Sequence, residues 1–106
     1  MDAFIPPKVD PEGYLKDVTD WSPAVAYHLA NQAGLQLTDA HWQIIKLLQQ
    51  YYQEFDHAPA MRPLLKYLNL KLTETVDSIY LLQLFPGSPA KLAAKIAGLP
   101  KPKNCL

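Results

Sequence analysis

The sequence predicts a mainly α-helical protein: an orthogonal bundle of about five helices, opened by a small N-terminal β-hairpin and closed by a flexible C-terminal arm. Three observations carry this reading. Apolar residues recur at spacings of three and four through residues 39–56, the period of one helix face. The dipeptide Ser-Pro occurs at 22–23 and again at 88–89, and each leads through an apolar run to a glycine, Gly34 or Gly98; this is a helix start paired with a helix stop. Finally, Pro100 and Pro102 follow Gly98 closely. Each proline lacks an N–H and holds φ near −65°, so this stretch neither extends the helix nor joins a central strand.

Composition narrows the function classes. With 106 residues, 49% of them hydrophobic and 19% charged, the chain has the makeup of one globular domain with a modest core. Ten basic residues balance ten acidic ones, which argues against the strong nonspecific nucleic-acid binding that clustered Lys and Arg produce. No apolar run reaches the roughly 20 residues of a membrane span, and the first residues, Met1 to Pro6, lack the basic and apolar regions of a secretory signal. One cysteine cannot form an internal disulfide. The expected location is therefore the cytoplasm, with no membrane contact.

Taken in order, residues 1–21 read as a proline-containing lead-in followed by a hairpin, with strands at Gly13-Tyr14-Leu15 and Val18-Thr19-Asp20-Trp21. Aromatic and β-branched residues suit both runs. Residues 22–97 form the helical body. Ser22-Pro23 starts the first helix, which carries Val25, Leu29 and Ala33 on one face and stops at Gly34. Thr38 starts the second, over about 39–56, with His41, Ile44, Ile45, Leu48, Tyr51, Tyr52 and Phe55 as its apolar stripe and Asp56 to Pro59 as its end. A third helix covers about 60–69 with Pro63 in its first turn and Asn69 as its stop. Thr73 caps a fourth, carrying Val76, Ile79, Tyr80 and Leu84, which Phe85-Pro86-Gly87 breaks. Ser88-Pro89 opens the fifth, with Leu92, Ala93, Ile96 and Ala97. Residues 98–106 are the arm.

Few side chains suggest chemistry. His28, His41 and His57 lie on different segments and make no metal cluster with the single cysteine; His41 shares its face with apolar residues and reads as a core-edge histidine. The four glycines are scattered and form no phosphate loop. The tyrosines and tryptophans, mostly at helical spacing, read as core or interface. Cys105 remains. Its thiolate is the reactive form, and a thiol beyond a proline-stiffened stretch can enter a donor's pocket and then an acceptor's. Lys101 and Lys103 favour the thiolate, whereas a nearby carboxylate opposes it.

The run from Ala90 to Pro102, followed by Cys105, resembles the carboxyl-terminal arm of the DsrC/TusE family. Asp10-Pro11 with Gly13-Tyr14-Leu15, Trp21, Thr38 with His41-Trp42, Tyr51-Tyr52, and Pro59 with Arg62 resemble its body. DsrC proteins carry a second cysteine eleven residues before the terminal one; here that position is Ala94. The single cysteine is similar to the TusE branch. A further departure is Lys103-Asn104, where many relatives have a small residue and Gly. The resemblance implies a persulfide sulfurtransferase. Cys105 accepts sulfur from a TusBCD-like donor complex and relays it to an MnmA-like tRNA thiouridylase for wobble 2-thiouridine, touching tRNA indirectly if at all. It implies no metal or organic cofactor. Gly98, Pro100, Lys101, Pro102 and Lys103 are the expected arm and docking residues. A noncatalytic adaptor of a sulfur-metabolism complex is the alternative; a helix-turn-helix nucleic-acid binder is a weaker one, because of the zero net charge.

Overall fold

In the computed structural model, which describes residues 4–103, five α-helices follow one short 3-10 turn: α1 Pro23–Gln32, α2 Asp39–Phe55, α3 Met61–Lys71, α4 Ser78–Leu84 and α5 Pro89–Ile96. The last helix is the hub. α5 touches each of the other four, and α2 also packs on α3. Its small side chains make this possible: Ala90, Ala93 and Ala94 are buried along with Ile96, so neighbouring helices approach closely. Around it lie Val25 and Leu29 of α1, Ile44, Ile45 and Leu48 of α2, Leu64 and Leu68 of α3, and Leu81 and Phe85 at the end of α4.

The helix starts follow their cap chemistry. Ser22 Oγ accepts from the Val25 N–H at 3.2 Å, and Pro23 occupies the first helical position, where its missing N–H costs nothing. α2 opens with Thr38 and His41 facing each other. The Thr38 N–H donates to His41 Nδ1 at 3.1 Å, with Thr38 Oγ1 at 2.8 Å from the same nitrogen. His41 Nε2 lies 2.7 Å from the Leu84 carbonyl. A carbonyl only accepts, so Nε2 carries the proton and Nδ1 is the acceptor. His41 thus caps α2 and ties it to the end of α4, with its ring edge-to-face on Phe85 at 5.1 Å. It is the buried polar residue of the described core, in keeping with the core-edge reading.

Several boundaries differ from expectation. The hairpin between 13–15 and 18–21 does not form. Leu15 instead makes a single antiparallel bridge with Val9, turned by Asp10, whose Oδ1 accepts from the N–H groups of Glu12 and Tyr14 at 2.9 and 3.0 Å. Asp17 caps residues 18–20, accepting from the Thr19 N–H at 2.9 Å and the Thr19 hydroxyl at 2.6 Å; such local bonds compete with strand pairing. These two bonds, the hydroxyl's first, hold the Asp17 carboxyl below its usual value. Ala33 is exposed, since it is the C-cap of α1, and Ala26 and Ala30 line the buried face instead.

Asn69 does not stop its helix. α3 runs on to Lys71, and the Asn69 amide grips the next loop: its Oδ1 accepts from the Val76 N–H at 2.7 Å and its Nδ2 donates to the Val76 carbonyl at 3.0 Å. The cap of α4 is Asp77, which accepts from the Tyr80 N–H at 2.8 Å, not Thr73. Phe55, counted in the apolar stripe of α2, is half exposed, but its ring rests on Tyr51 at 4.5 Å.

Candidate functional site at the base of the C-terminal arm

The expected arm begins at the end of α5, and the same backbone motif ends α5 and α1. Gly98, at φ 79°, donates its N–H to the Lys95 carbonyl at 3.1 Å, while the Leu99 N–H returns to Ala94 O at 2.9 Å. Gly34 and Leu35 repeat this pairing on Asn31 and Ala30. Both are Schellman endings, which need a residue in the left-handed region and bring an apolar side chain back onto the helix. In α5 that side chain is Leu99, 5% exposed and part of the core.

Two distant side chains then cap α5. The Trp21 indole N–H donates to the Ile96 carbonyl at 2.9 Å, and Gln49 Nε2 of α2 donates to the Ala97 carbonyl at 3.0 Å. These carbonyls belong to the end of a helix, where intrahelical partners run out. Trp21 also lies over Gly98 so closely that a β-carbon there would sit 2.6 Å from Trp21 Cγ and 2.8 Å from its Cβ.

The lead-in wraps the other side. Tyr14 is buried at 3% exposure, its hydroxyl reaching the Lys91 carbonyl at a long 3.4 Å. The Lys95 ammonium lies 5.2 Å from the Tyr14 ring centroid, a cation–π arrangement. Further on, Lys101 Nζ pairs with Glu12 Oε2 at 2.9 Å.

Of the expected arm residues, Gly98 and Pro102 are buried, whereas Pro100, Lys101 and Lys103 are exposed. Cys105 lies outside the described residues. The stretch 98–102 is therefore not a free arm, as expected from its prolines, but a packed continuation of the body. The reason is Leu99, whose side chain belongs to the core, together with Pro102, which has no N–H to leave unsatisfied when buried. Trp21, Gln49, Glu12 and Tyr14, which hold this base, were not identified as its partners by sequence. They lie 48 to 89 residues from it in the chain, and no local pattern links them.

The other histidines sit elsewhere: His28 against Phe4 at 5.1 Å and His57 against Tyr51 at 5.6 Å. Among the described residues, no three His, Cys, Asp or Glu side chains are grouped to hold a metal, and no helix is long and apolar enough to cross a membrane.

A five-helix domain whose hub helix ends in a pinned Gly-Leu-Pro-Lys-Pro segment, with one cysteine shortly beyond, defines a narrow class of protein. The chain belongs to the DsrC-like family: the family model described as DsrC like protein matches residues 6–106. Sulfurtransferase TusE of Yersinia pseudotuberculosis is 50% identical to it over 98 residues, spanning 92% of this chain and 91% of that one. Sulfurtransferase TusE of Photorhabdus laumondii is 46% identical over 100 residues, with 93% and 90% covered. Among solved structures, the NMR structure of Allochromatium vinosum DsrC is similar with a TM-score of 0.84 at 49% identity, covering 92% of this chain and 88% of that chain. The oxidised gamma-subunit of dissimilatory sulfite reductase, DsrC, from Archaeoglobus fulgidus is similar with a TM-score of 0.80 at 36% identity, covering 93% and 91%.

Proposed function

We propose that this protein is a sulfur carrier, a persulfide sulfurtransferase, working through Cys105. The Cys105 thiolate attacks the outer, sulfane sulfur of a donor Cys–S–SH. An S–S bond forms to Cys105, the donor's S–S bond breaks, and the donor cysteine leaves as a thiolate. The second half is the same exchange reversed: an acceptor thiolate attacks the sulfane sulfur and Cys105 leaves as a thiolate. Sulfur moves with no net oxidation, so neither a metal nor an organic cofactor enters the reading. The donor is a TusBCD-like complex and the acceptor an MnmA-like tRNA thiouridylase, in the cytoplasm.

The observation that carries this reading is the 50% identity with proteins named Sulfurtransferase TusE over nearly the whole chain, in a sequence whose one thiol is Cys105. Intact-mass measurement after mixing with a persulfidated donor tests it. The expected result is a gain of one sulfur atom, on the peptide containing Cys105, removable by reductant because a persulfide is reducible and a sulfonic acid is not. Cys105→Ser gains nothing and keeps the thermal stability of the wild type. No added sulfur from a competent donor refutes the reading.

The second reading, a noncatalytic adaptor, draws support from the likeness to the gamma-subunit of a sulfite reductase. It predicts that Cys105→Ser retains full activity in the assembly that uses the protein.

A further inference from the structure

We infer that the two ends of the described chain form one latch. The lead-in, residues 8–21, and the base of the arm, residues 98–102, hold each other shut and open together while the five-helix body stays closed. This is a property of the fold and stands apart from the carrier reading.

The lead-in leans on the end of α5. Its own backbone order is one bridge and one turn. The Asp10 N–H donates to the Tyr14 carbonyl at 2.8 Å, and the Lys16 N–H to the Lys8 carbonyl at 3.1 Å. A two-stranded piece of this size is marginal alone. Residues 16–20 are exposed, whereas Tyr14 and Leu15 are buried. Leu15 joins the core. Tyr14 reaches Lys91 and Lys95, Trp21 donates to the Ile96 carbonyl, and Glu12 pairs with Lys101.

The base of the arm leans on the lead-in in return. Pro100 and Pro102 bring no N–H to it. Leu99 is in the core and returns its N–H to the Ala94 carbonyl at 2.9 Å. Trp21 covers Gly98, and Glu12 holds Lys101. Gln49 acts one residue earlier, on the Ala97 carbonyl, and so secures the helix rather than the base.

Coupling follows from these shared contacts. Trp21 satisfies the carbonyl of the buried Ile96 and covers Gly98 at the same time. When the lead-in lifts, that carbonyl loses its donor, and a buried carbonyl without a partner is costly. Water replaces the donor by entering where the indole was, beside Gly98. When the base lifts, Trp21 and Glu12 lose what they rest on. The opening ends at α5, because α5 packs on each of the other four helices. Segments with few buried contacts open below the free energy of global unfolding. The coupling is reciprocal: a partner that grips the released lead-in loosens the base by the same factor as one gripping the base loosens the lead-in.

Native-state hydrogen exchange of the whole protein, read by NMR, tests this. The reporters are the Asp10 and Lys16 amides of the lead-in, the Leu99 amide of the base and the Leu48 amide of α2. In the wild type the first three are expected to share one opening constant and to be less protected than Leu48. Gly98→Ala quickens Asp10, Lys16 and Leu99 together by about tenfold or more, a factor that corresponds to about 1.4 kcal/mol. Trp21→Phe keeps a ring over Gly98 but loses the donor to Ile96; it quickens the same three and serves if Gly98→Ala does not fold. Asn69→Ala, whose contacts lie between α3 and α4, quickens Leu48 and leaves the three latch amides within twofold of the wild type. If either latch variant quickens one end of the chain and not the other, the two segments are independent and the inference is overturned. If Asn69→Ala quickens the latch amides as much as Leu48, they open only when the whole domain unfolds, and the inference is overturned as well.

Discussion

Replacing Gly98 by alanine tests the packed base of the arm through two separable costs. The first is conformational. At φ 79° an L-residue places its Cβ against the following carbonyl, which costs about 1–2 kcal/mol. The second is steric. The new β-carbon would meet Trp21 Cγ at 2.6 Å and Cβ at 2.8 Å, atoms near the root of the side chain that cannot swing aside without moving the backbone. Overpacking of this sort costs about 1–3 kcal/mol. The sum is about 2–5 kcal/mol, a large part of the 5–15 kcal/mol typical of a whole domain. At about 4 °C per kcal/mol for a chain of this size, the melting temperature falls by roughly 8–20 °C.

Gly34→Ala is the control. Gly34 sits at φ 74° with nothing within 4 Å of its would-be β-carbon, so it bears only the conformational cost and its melting temperature falls by roughly 4–8 °C. Differential scanning calorimetry of both variants isolates the steric cost as their difference. In a Trp21→Ala background that difference narrows, because Cγ and the ring are gone while Cβ stays, and residues in contact couple by about 0.5–3 kcal/mol. If Gly98→Ala melts no lower than Gly34→Ala, Trp21 does not cover Gly98 and the stretch beyond α5 is a detached arm after all.

Four further outcomes are expected. Lys101→Ala and Glu12→Ala each shift stability by less than about 1 kcal/mol in urea titrations, since the pair is 43% and 58% exposed and surface ion pairs contribute little; a larger loss would mean that charge, not packing, anchors the base. Asn69→Ala costs about 1–3 kcal/mol by the same method, because it strips both partners from the Val76 peptide at a buried residue. His41→Ala costs about 2–4 kcal/mol, losing the cap of α2, the bond to Leu84 O and the Phe85 contact together; hydrogen exchange should show α4 loosening with the start of α2. Burial first, then donation to Glu54 at 2.9 Å, raises the Tyr67 hydroxyl pKa above the usual tyrosine value. A raised folded-state pKa adds stability that is complete below the unfolded value and is lost as pH climbs through the folded one. The wild type should therefore lose stability above about pH 10, and Tyr67→Phe, compared by melting temperature against pH, should show a shallower alkaline decline.

What the sequence made legible follows from the range of each interaction. Ser22-Pro23, Ser88-Pro89, Gly34 and Gly98 act within a turn, and each fell where the caps and left-handed residues are. The apolar stripe of α2 is a local period, and five of its members, His41 included, are buried. The misplacements arose where one side chain could serve either of two local uses. Asn69 suits a helix stop, yet it grips Val76 seven residues on. Asp17 and Thr19 bond each other in place of a strand partner. At the candidate site the thiol was legible because it is unique, and Gly98 because it is a stop. The packing of Leu99 and Pro102 was not, since it depends on a tryptophan 75 residues away through the Ile96 carbonyl, and a pair of prolines reads as extended chain whether or not a surface is waiting for it.

The placement of the hub at α5 bears on how the protein comes into being. α1, α2, α3 and α4 each rest against residues that the ribosome makes after them, and Leu99 completes the interior beyond the helix itself. A nascent chain that stops short of residue 89 has the α2–α3 contact but lacks the helix on which all four others close. Its short helices are marginal alone, and such exposed surfaces are what chaperones and proteases act upon. The fold is thus gated by the synthesis of its own tail segment. A chain cut off before residue 89 lacks the hub of the interior as well as the thiol, so such a truncated product is expected to be poorly folded and open to proteolysis.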